Sequence, residues 1–197
     1  MGLFSLVLVP KIKDRKLFMR LKREVTSFSG VKKVKIVPHI SIRATFETKD
    51  IKALSKELST LAKQFMPFEI AFKRYGVWAK KYVVLEVVKT EKLKKLHELI
   101  LKLVDKYRTI SVQEIYKETL HKLTKKQKLY LKLHGYPYCL DFYSPHVTLA
   151  YEIDSQRITK VKRFLLKQKL PRSIKIDGIT LLKKNKTWKI EYKKKFG

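Results

Sequence analysis

Two short segments of the sequence each place a histidine two residues before a hydroxyl side chain. The first is Pro38-His39-Ile40-Ser41-Ile42, and the second is Pro145-His146-Val147-Thr148-Leu149. Side chains two residues apart on a strand point to the same face. Each segment is therefore predicted to present one imidazole and one hydroxyl to a common surface, while its aliphatic residues anchor the strand in the core.

Two imidazoles and two hydroxyls around one point suit phosphodiester chemistry without a metal. An imidazole titrates near pH 6.5, so one can be neutral while the other is protonated. The neutral ring can remove a proton from the attacking water or hydroxyl, and the protonated ring can deliver a proton to the leaving oxygen. The hydroxyls can donate to non-bridging phosphate oxygens. We therefore predict His39, Ser41, His146 and Thr148 as the catalytic set.

The elements that must position these residues follow from hydrophobic periodicity. Apolar residues at helical spacing predict four amphipathic helices, over about 14–28, 51–65, 93–107 and 158–165. Alternating or β-rich runs predict strands over 4–9, 34–46, 68–72, 82–88, 174–181 and 188–192, with Pro38 interrupting the second. This mixture indicates an α+β fold with antiparallel sheets.

The sequence also repeats itself beyond the two histidine segments. The helix at 51–65 corresponds to the one at about 155–168, and strand-like runs follow both at similar offsets. This pattern predicts an internal duplication within one domain over 1–197, with two pseudo-symmetric lobes. The second unit carries an insertion at about 108–137 that is rich in lysine. It is either a solvated excursion or an arm that contacts RNA.

Composition limits the classes of partner. The chain has 197 residues, 47 Lys and Arg against 17 Asp and Glu, and a formal net charge of +30, which favours a nucleic-acid partner. One cysteine excludes an internal disulfide and a cysteine-based zinc cage. Because no apolar run approaches the ~18 residues of a membrane span and the first residues read as a strand, we expect a cytoplasmic protein without a membrane partner.

The twin motifs resemble those of the two-histidine (2H) phosphoesterase superfamily. The segment HISIRATF, which begins at His39, resembles the first motif of its LigT-like branch of 2′-5′ RNA ligases and RNA 2′,3′-cyclic phosphodiesterases. The segment HVTLAYE, which begins at His146, resembles the second. Serine at position 41, where threonine is commoner, also occurs in the branch that resembles the U6 RNA-processing exonuclease.

The resemblance implies a bilobal fold whose two antiparallel sheets, flanked by helices, form a V-shaped groove. It implies hydrolysis of 2′,3′-cyclic phosphate ends of RNA, tRNA for example, commonly to a 2′-phosphate, with no metal and no other cofactor. Relatives also join RNA ends in the reverse direction. A monomer is our working expectation. Two alternatives stay open: a related phosphodiesterase or exonuclease on 2′,5′-linked or 3′-terminal oligonucleotides, and a catalytically weak RNA-binding protein.

Three further side chains are candidates for substrate binding. Strand alternation puts Arg43 on the groove face with Ser41, where its guanidinium could grip a phosphate. The alternative is an edge-strand arginine that pairs with Glu47 or solvent. Tyr143 and Tyr151, like Tyr75 and Trp78, could stack on a base or belong to the core. The spacings of the remaining histidines, His97, His121 and His134, match no metal-ligand pattern and indicate structural or solvated roles.

Overall fold

Helices and antiparallel strands alternate along the chain, so the predicted α+β class is confirmed. A computed structural model describes residues 2–29, 36–80, 82–109 and 114–197. The strands are β1 (Gly2–Leu8), β2 (Ile40–Thr48), β3 (Phe68–Trp78), β4 (Tyr82–Val87), β5 (His146–Ala150), β6 (Ser173–Ile176), β7 (Gly178–Lys184) and β8 (Trp188–Lys195). The α-helices are α1 (Ile12–Ser29), α2 (Ile51–Lys63), α3 (Glu91–Tyr107), α4 (Glu114–Lys117), α5 (Lys125–His134) and α6 (Ile158–Leu166).

The strand predicted to begin at Val34 begins at Ile40 instead. Positions 34 and 35 lie outside the described residues, and Ile36 to His39 form no strand. Proline fixes its own φ, lacks a backbone N–H and restricts the residue before it, so Pro38 does not contribute to a ladder. His39 consequently lies at the entrance of β2 rather than inside it.

The eight strands form one continuous sheet in the order β6-β3-β4-β5-β2-β1-β7-β8. Its two halves have four strands each and meet at β5 and β2, where the antiparallel pair Ile40↔Val147 joins them. The two predicted sheets are therefore halves of one sheet. Strand β4 pairs with β5 as β1 pairs with β2, which gives the order a twofold pattern about the central pair.

Helices α1, α2, α3 and α6 cover one face of this sheet. The main core packs residues of α1, α2, α3 and α6 against alternate strand residues such as Leu6, Ile40, Leu85 and Val147. Burial of this apolar surface is the main source of stability for such a layered fold. We call the opposite face, which bears a small apolar cluster of Val7, Val9 and Leu182, the open face.

Side-chain caps fix where several helices begin. The Asp50 carboxylate accepts from the Ala53 N–H at the start of α2, and the Thr90 hydroxyl accepts from the Leu93 N–H at the start of α3. Thr124 and Gln127 form a capping box at the start of α5. Each cap satisfies a backbone donor that has no partner within its helix.

The lysine-rich excursion is partly helical and includes α4 and α5. Helix α5 ends at Gly135, whose φ of 64° is the left-handed conformation that favours glycine. Residues 110–113 lie outside the described part of the chain. Within the described ranges, no helix is long and apolar enough to cross a membrane.

Candidate active site

Each motif histidine is held by the backbone two residues before it. The Nδ1 of His39 lies 2.8 Å from the carbonyl oxygen of Val37, and that of His146 lies 2.8 Å from the carbonyl oxygen of Ser144. Because a carbonyl only accepts, Nδ1 carries the hydrogen in both rings. The neutral form of each imidazole therefore has its lone pair on Nε2, which is the atom that can take or give a proton.

The register between β2 and β5 brings the four predicted catalytic residues together. Ile40 is opposite Val147 in an antiparallel pair, so His39 is opposite Thr148 and Ser41 is opposite His146. Residues opposite each other in such a pair have Cβ atoms about 4.5–5.5 Å apart. Since Ile40 and Val147 are fully buried on the helix side, these four partly exposed side chains lie on the open face.

Burial lowers the pKa of both imidazoles, whereas neighbouring charges act on them in opposite directions. Desolvation is the main cause for His39, and the positive charges of Lys22 and His146 lower its pKa further, to about 4, against the raising effect of the Val37 carbonyl. The pKa of His146 is also lowered by burial, but the Ser144 carbonyl and the negative charge of Glu86 raise it. The two rings therefore share a local geometry and differ in the sign of their charged neighbour.

His146 is supported by a network of side chains that the sequence did not predict, although Trp78 was named as a residue that could stack on a base. The ring of Trp78 packs against that of His146, with centroids 4.5 Å apart and planes 64° apart. The Trp78 indole donates to Glu86 Oε1 at 3.1 Å, and Arg74 Nε donates to Glu86 Oε2 at 2.9 Å. A Cβ at Gly76 would lie 2.8 Å from Glu86 Oε1, so glycine leaves the room that this network needs.

The sequence did contain a signal for this network and for Lys22. Glu86 is the single charged residue within the apolar run of β4, and Lys22 lies beside the apolar positions Phe18, Leu21 and Val25 of α1. Charged residues are almost never fully buried unless they have partners. A charge on an apolar face therefore indicates a specific role, although not which one.

Arg43 does not lie on the open face with Ser41, so its predicted placement was wrong. Ser41 is opposite Val7 and Arg43 is opposite Leu6, so β2 contains one residue more than β1 over this interval. Such a β-bulge breaks the alternation on which the prediction rested. The Arg43 side chain is 1% exposed and donates to the carbonyl oxygens of Ala44 and His134 at 3.1 and 2.7 Å.

The guanidinium of Arg43 instead ties the excursion to β2. Together with Arg108, which donates to the Leu133 carbonyl at 2.6 Å, it satisfies carbonyls in the last turn of α5. Cations at a helix C-terminus also interact favourably with the helix dipole. The Arg43 guanidinium lies 5.4 Å from the centre of the Tyr136 ring, which belongs to the same excursion.

Tyr143 belongs to the core, which is the other alternative that the sequence left open. Its side chain is 6% exposed and its hydroxyl donates to the Ser41 carbonyl at 3.1 Å. Its ring stacks on His97, with centroids 3.9 Å apart. Tyr143 thus supports the strand that carries Ser41. Tyr151 directly follows β5 and is 37% exposed, and its contact with substrate stays a prediction.

Two of the remaining histidines have the structural roles predicted for them. His97 Nδ1 lies 2.6 Å from the Ile42 carbonyl oxygen, and its Nε2 accepts from the Leu140 N–H at 3.0 Å. His134 Nδ1 lies 2.5 Å from a carboxylate oxygen of Asp105. Within the described ranges, no group of three or more His, Cys, Asp or Glu side chains is arranged to hold a metal ion.

Comparison with known proteins gives one family model and several structural neighbours. A model described as "Protein of unknown function (DUF1045)" matches residues 43–189. A comparison with curated protein sequences gives no match.

Solved structures share the fold over nearly the whole of both chains. TT0787 of Thermus thermophilus has a TM-score of 0.59 at 14% identity, covering 99% of this chain and 97% of that one. E. coli LigT complexed with phosphate has a TM-score of 0.54 at 11% identity, covering 99% and 97%. A structure described as a phosphoesterase has a TM-score of 0.56 at 12% identity, covering 99% and 98%. The fold expected from the resemblance is thereby confirmed: this chain shares the fold of E. coli LigT.

Proposed function

Because the chain belongs to the DUF1045 family and has the fold of LigT, we propose that it is a 2H phosphoesterase that opens 2′,3′-cyclic phosphate ends of RNA. The proposed reaction is metal-independent hydrolysis. The oxygen of a water molecule attacks phosphorus, and one ribose P–O bond breaks. The products are a phosphomonoester and a free ribose hydroxyl, and cleavage of the bond to O3′ leaves a 2′-phosphate.

The proposed roles use the donors and acceptors of the four motif residues. One imidazole in its neutral form accepts the proton of the attacking water at Nε2, and the other, protonated at Nε2, gives a proton to the leaving ribose oxygen. The hydroxyls of Ser41 and Thr148 donate to the non-bridging oxygens, where charge develops in the transition state. If the 5′-hydroxyl of a second RNA end attacks phosphorus in place of water, and the bond to O3′ breaks, the same ring opening joins the two RNA ends through a 2′-5′ bond.

One observation carries the proposal. The Ile40↔Val147 pair sets both motifs side by side on the open face. Both rings bind a carbonyl two residues upstream through Nδ1, so that, among the described residues, both Nε2 atoms are left for substrate. A histidine with a merely structural role commonly has both nitrogens engaged, as His97 does here. The duplicated arrangement is what a reaction with one proton acceptor and one proton donor requires.

An RNA substrate is supported by charge. A net charge of +30 attracts a polyanion, and each phosphate that a lysine or arginine neutralises releases counterions. One structural neighbour, E. coli LigT, is described as complexed with phosphate. The substrate class is therefore proposed as RNA rather than a small phosphodiester.

The test is turnover of a defined oligonucleotide that ends in a 2′,3′-cyclic phosphate, in the presence of EDTA. We expect ring opening, with the position of the product phosphate read by mass and by digestion. The control variant His121→Ala removes an exposed imidazole outside the site and should keep full activity. Binding of the oligonucleotide without turnover would contradict the proposal and favour an RNA-binding protein. Cleavage of 2′,5′-linked or 3′-terminal substrates alone would favour the exonuclease alternative.

A further inference from the structure

The two candidate catalytic histidines have opposite charges beside them. Among the described residues, the charged groups that act on His39 are Lys22 of α1 and His146 of β5. The group that acts on His146 from β4 is Glu86, which itself pairs with Arg74 of β3. The two motifs are thus related by a twofold pattern, but the charged groups beside their histidines differ in sign. The proposed reaction likewise needs two different roles, a proton acceptor and a proton donor.

Lys22 is a buried cation next to the His39 segment. Lys22 is 4% exposed. Its ammonium donates to the carbonyl oxygen of Ile36 at 3.0 Å, and Ile36 lies three residues before His39. Burial lowers the pKa of Lys22 to about 8, so the ammonium is still charged at the lower pH at which an imidazole titrates. A positive charge held near an imidazole disfavours its protonated form.

Glu86 is a fixed anion directly opposite His146. The two residues form a pair in the β4–β5 ladder. Burial raises the pKa of the Glu86 carboxyl group, but the hydrogen bonds from Trp78 and Arg74, one to each carboxylate oxygen, and the positive charges of Arg74 and Lys73 outweigh it, so that the pKa is lowered. Glu86 is therefore ionised at neutral pH, and a nearby anion favours the protonated imidazole.

We propose that Lys22 and Glu86 are positioning residues that divide the acid–base work, with Lys22 keeping His39 neutral as the general base and Glu86 favouring protonated His146 as the general acid. This inference rests on the proposed function. His39 then takes the proton of the attacking water at Nε2, and His146 gives its Nε2 proton to the leaving ribose oxygen. A bound phosphodiester anion favours protonation of both rings, and the Glu86 carboxylate adds to this effect at His146.

The test combines NMR titration of the two imidazoles with the pH dependence of kcat/KM. Lys22→Met removes the cation, and we expect the pKa of His39 to rise by roughly half a unit to one unit while that of His146 changes little. The ascending limb of the pH profile should then move to higher pH. Lys22→Gln is a second variant in case the methionine disturbs the packing of α1.

Glu86→Gln keeps an acceptor for Trp78 and removes the negative charge. We expect the pKa of His146 to fall by a similar amount, and the descending limb of the profile to move to lower pH. Lys16→Met and Glu91→Gln are matched controls, because each removes the same charge from an exposed site on α1 or α3. Both limbs should stay in place in the controls.

The two ways of failing are distinguishable. Unchanged titration of His39 in both Lys22 variants, or of His146 in Glu86→Gln, would overturn this inference whether or not the enzyme turns over. The inference would also be overturned if the Lys22 variants moved the descending limb of the pH profile and Glu86→Gln moved the ascending limb. His39 would then be the general acid and His146 the general base. Absence of turnover in the wild-type protein would contradict the proposed function itself, and the division of roles would fall with it.

Discussion

At the scale of single residues, the site depends on two hydroxyls that share the open face with the imidazoles. Ser41 follows His39 by two residues, and Thr148 follows His146 by two. The cross-strand register places each hydroxyl opposite the histidine of the other motif. A phosphate held between the strands would therefore meet a donor from each half of the sheet.

We predict that Ser41→Ala and Thr148→Ala each lower kcat/KM by roughly 10- to 10³-fold, because one donor to a non-bridging oxygen is lost. Ser41→Thr and Thr148→Ser keep the hydroxyl and should retain much of the activity. Steady-state kinetics on the cyclic-phosphate oligonucleotide measures both pairs. An unchanged kcat/KM in Ser41→Ala would show that this serine contributes to packing only.

At the scale of elements, β2 decides which of its side chains reach substrate. The alternation of its sequence predicts Ser41 and Arg43 on one face, and a bulge between them turns Arg43 to the other. A bulge depends on how β1 pairs with β2, which is a non-local property that periodicity along one strand does not contain. The positions of His39 and Ser41 were predictable because they precede the bulge.

We predict that Arg43→Ala destabilises the fold rather than weakening phosphate binding alone. Its buried guanidinium donates to two backbone carbonyls, and loss of hydrogen bonds from a charged group costs about 1.5–3 kcal/mol. Chemical denaturation measures the free energy of unfolding. The matched control Arg20→Ala removes an exposed arginine and should change it by less than about 0.5 kcal/mol. The opposite outcome would contradict this prediction. If the denaturation midpoint of Arg43→Ala equals that of the wild type while its KM is higher, the guanidinium binds substrate instead.

The buried His97 should make the fold sensitive to acid. Burial lowers the pKa of His97 to about 4 in the folded state, below the ~6.5 of an unfolded histidine. The unfolded state therefore binds the proton more readily, so this residue contributes stability above pH ~6.5 that is lost as the pH falls towards 4. His97→Gln should lose less stability over this window than the wild type does. The melting temperature of both proteins is measured as a function of pH. If it falls equally for the wild type and for His97→Gln between pH 6.5 and 4, His97 does not cause the sensitivity to acid.

At the scale of the whole molecule, much of the fold could be predicted because its elements are locally encoded. Periodicity alone predicted amphipathic helices over 51–65 and 93–107, which the structure has at 51–63 and 91–107. It also predicted strand-like runs over 68–72, 82–88 and 188–192, which belong to the antiparallel pairs β3–β4 and β7–β8. The single continuous sheet was not predicted, because it depends on the pair between β2 and β5, far apart in the sequence. The contacts of Glu86 and Trp78 with His146, and that of Lys22 with the His39 segment, were missed for the same reason.

The charge of the molecule predicts a strong dependence of RNA binding on salt. Helix α5 is anchored on β2, and Lys125, Lys128 and Lys132 are exposed on it. We expect the triple change of these lysines to glutamine to reduce the slope of log K against log salt by about 2, at ~0.7 for each phosphate contact of a single strand. The control is the triple change of the exposed Lys49, Lys52 and Lys56, which removes equal charge around α2. If both triple variants give the same slope of log K against log salt, the lysines of the excursion do not contact RNA, and the excursion is solvated.

The central claim is that two histidines on adjacent strands carry the chemistry of one phosphodiester reaction. Its most direct test is the single-turnover rate constant for opening a 2′,3′-cyclic phosphate in EDTA, measured for the wild type, His39→Ala and His146→Ala. We predict that each variant is slower by about 10²- to 10⁴-fold, the range for losing a positioned acid or base, with circular dichroism unchanged. Near-wild-type rates in either folded variant would contradict the account.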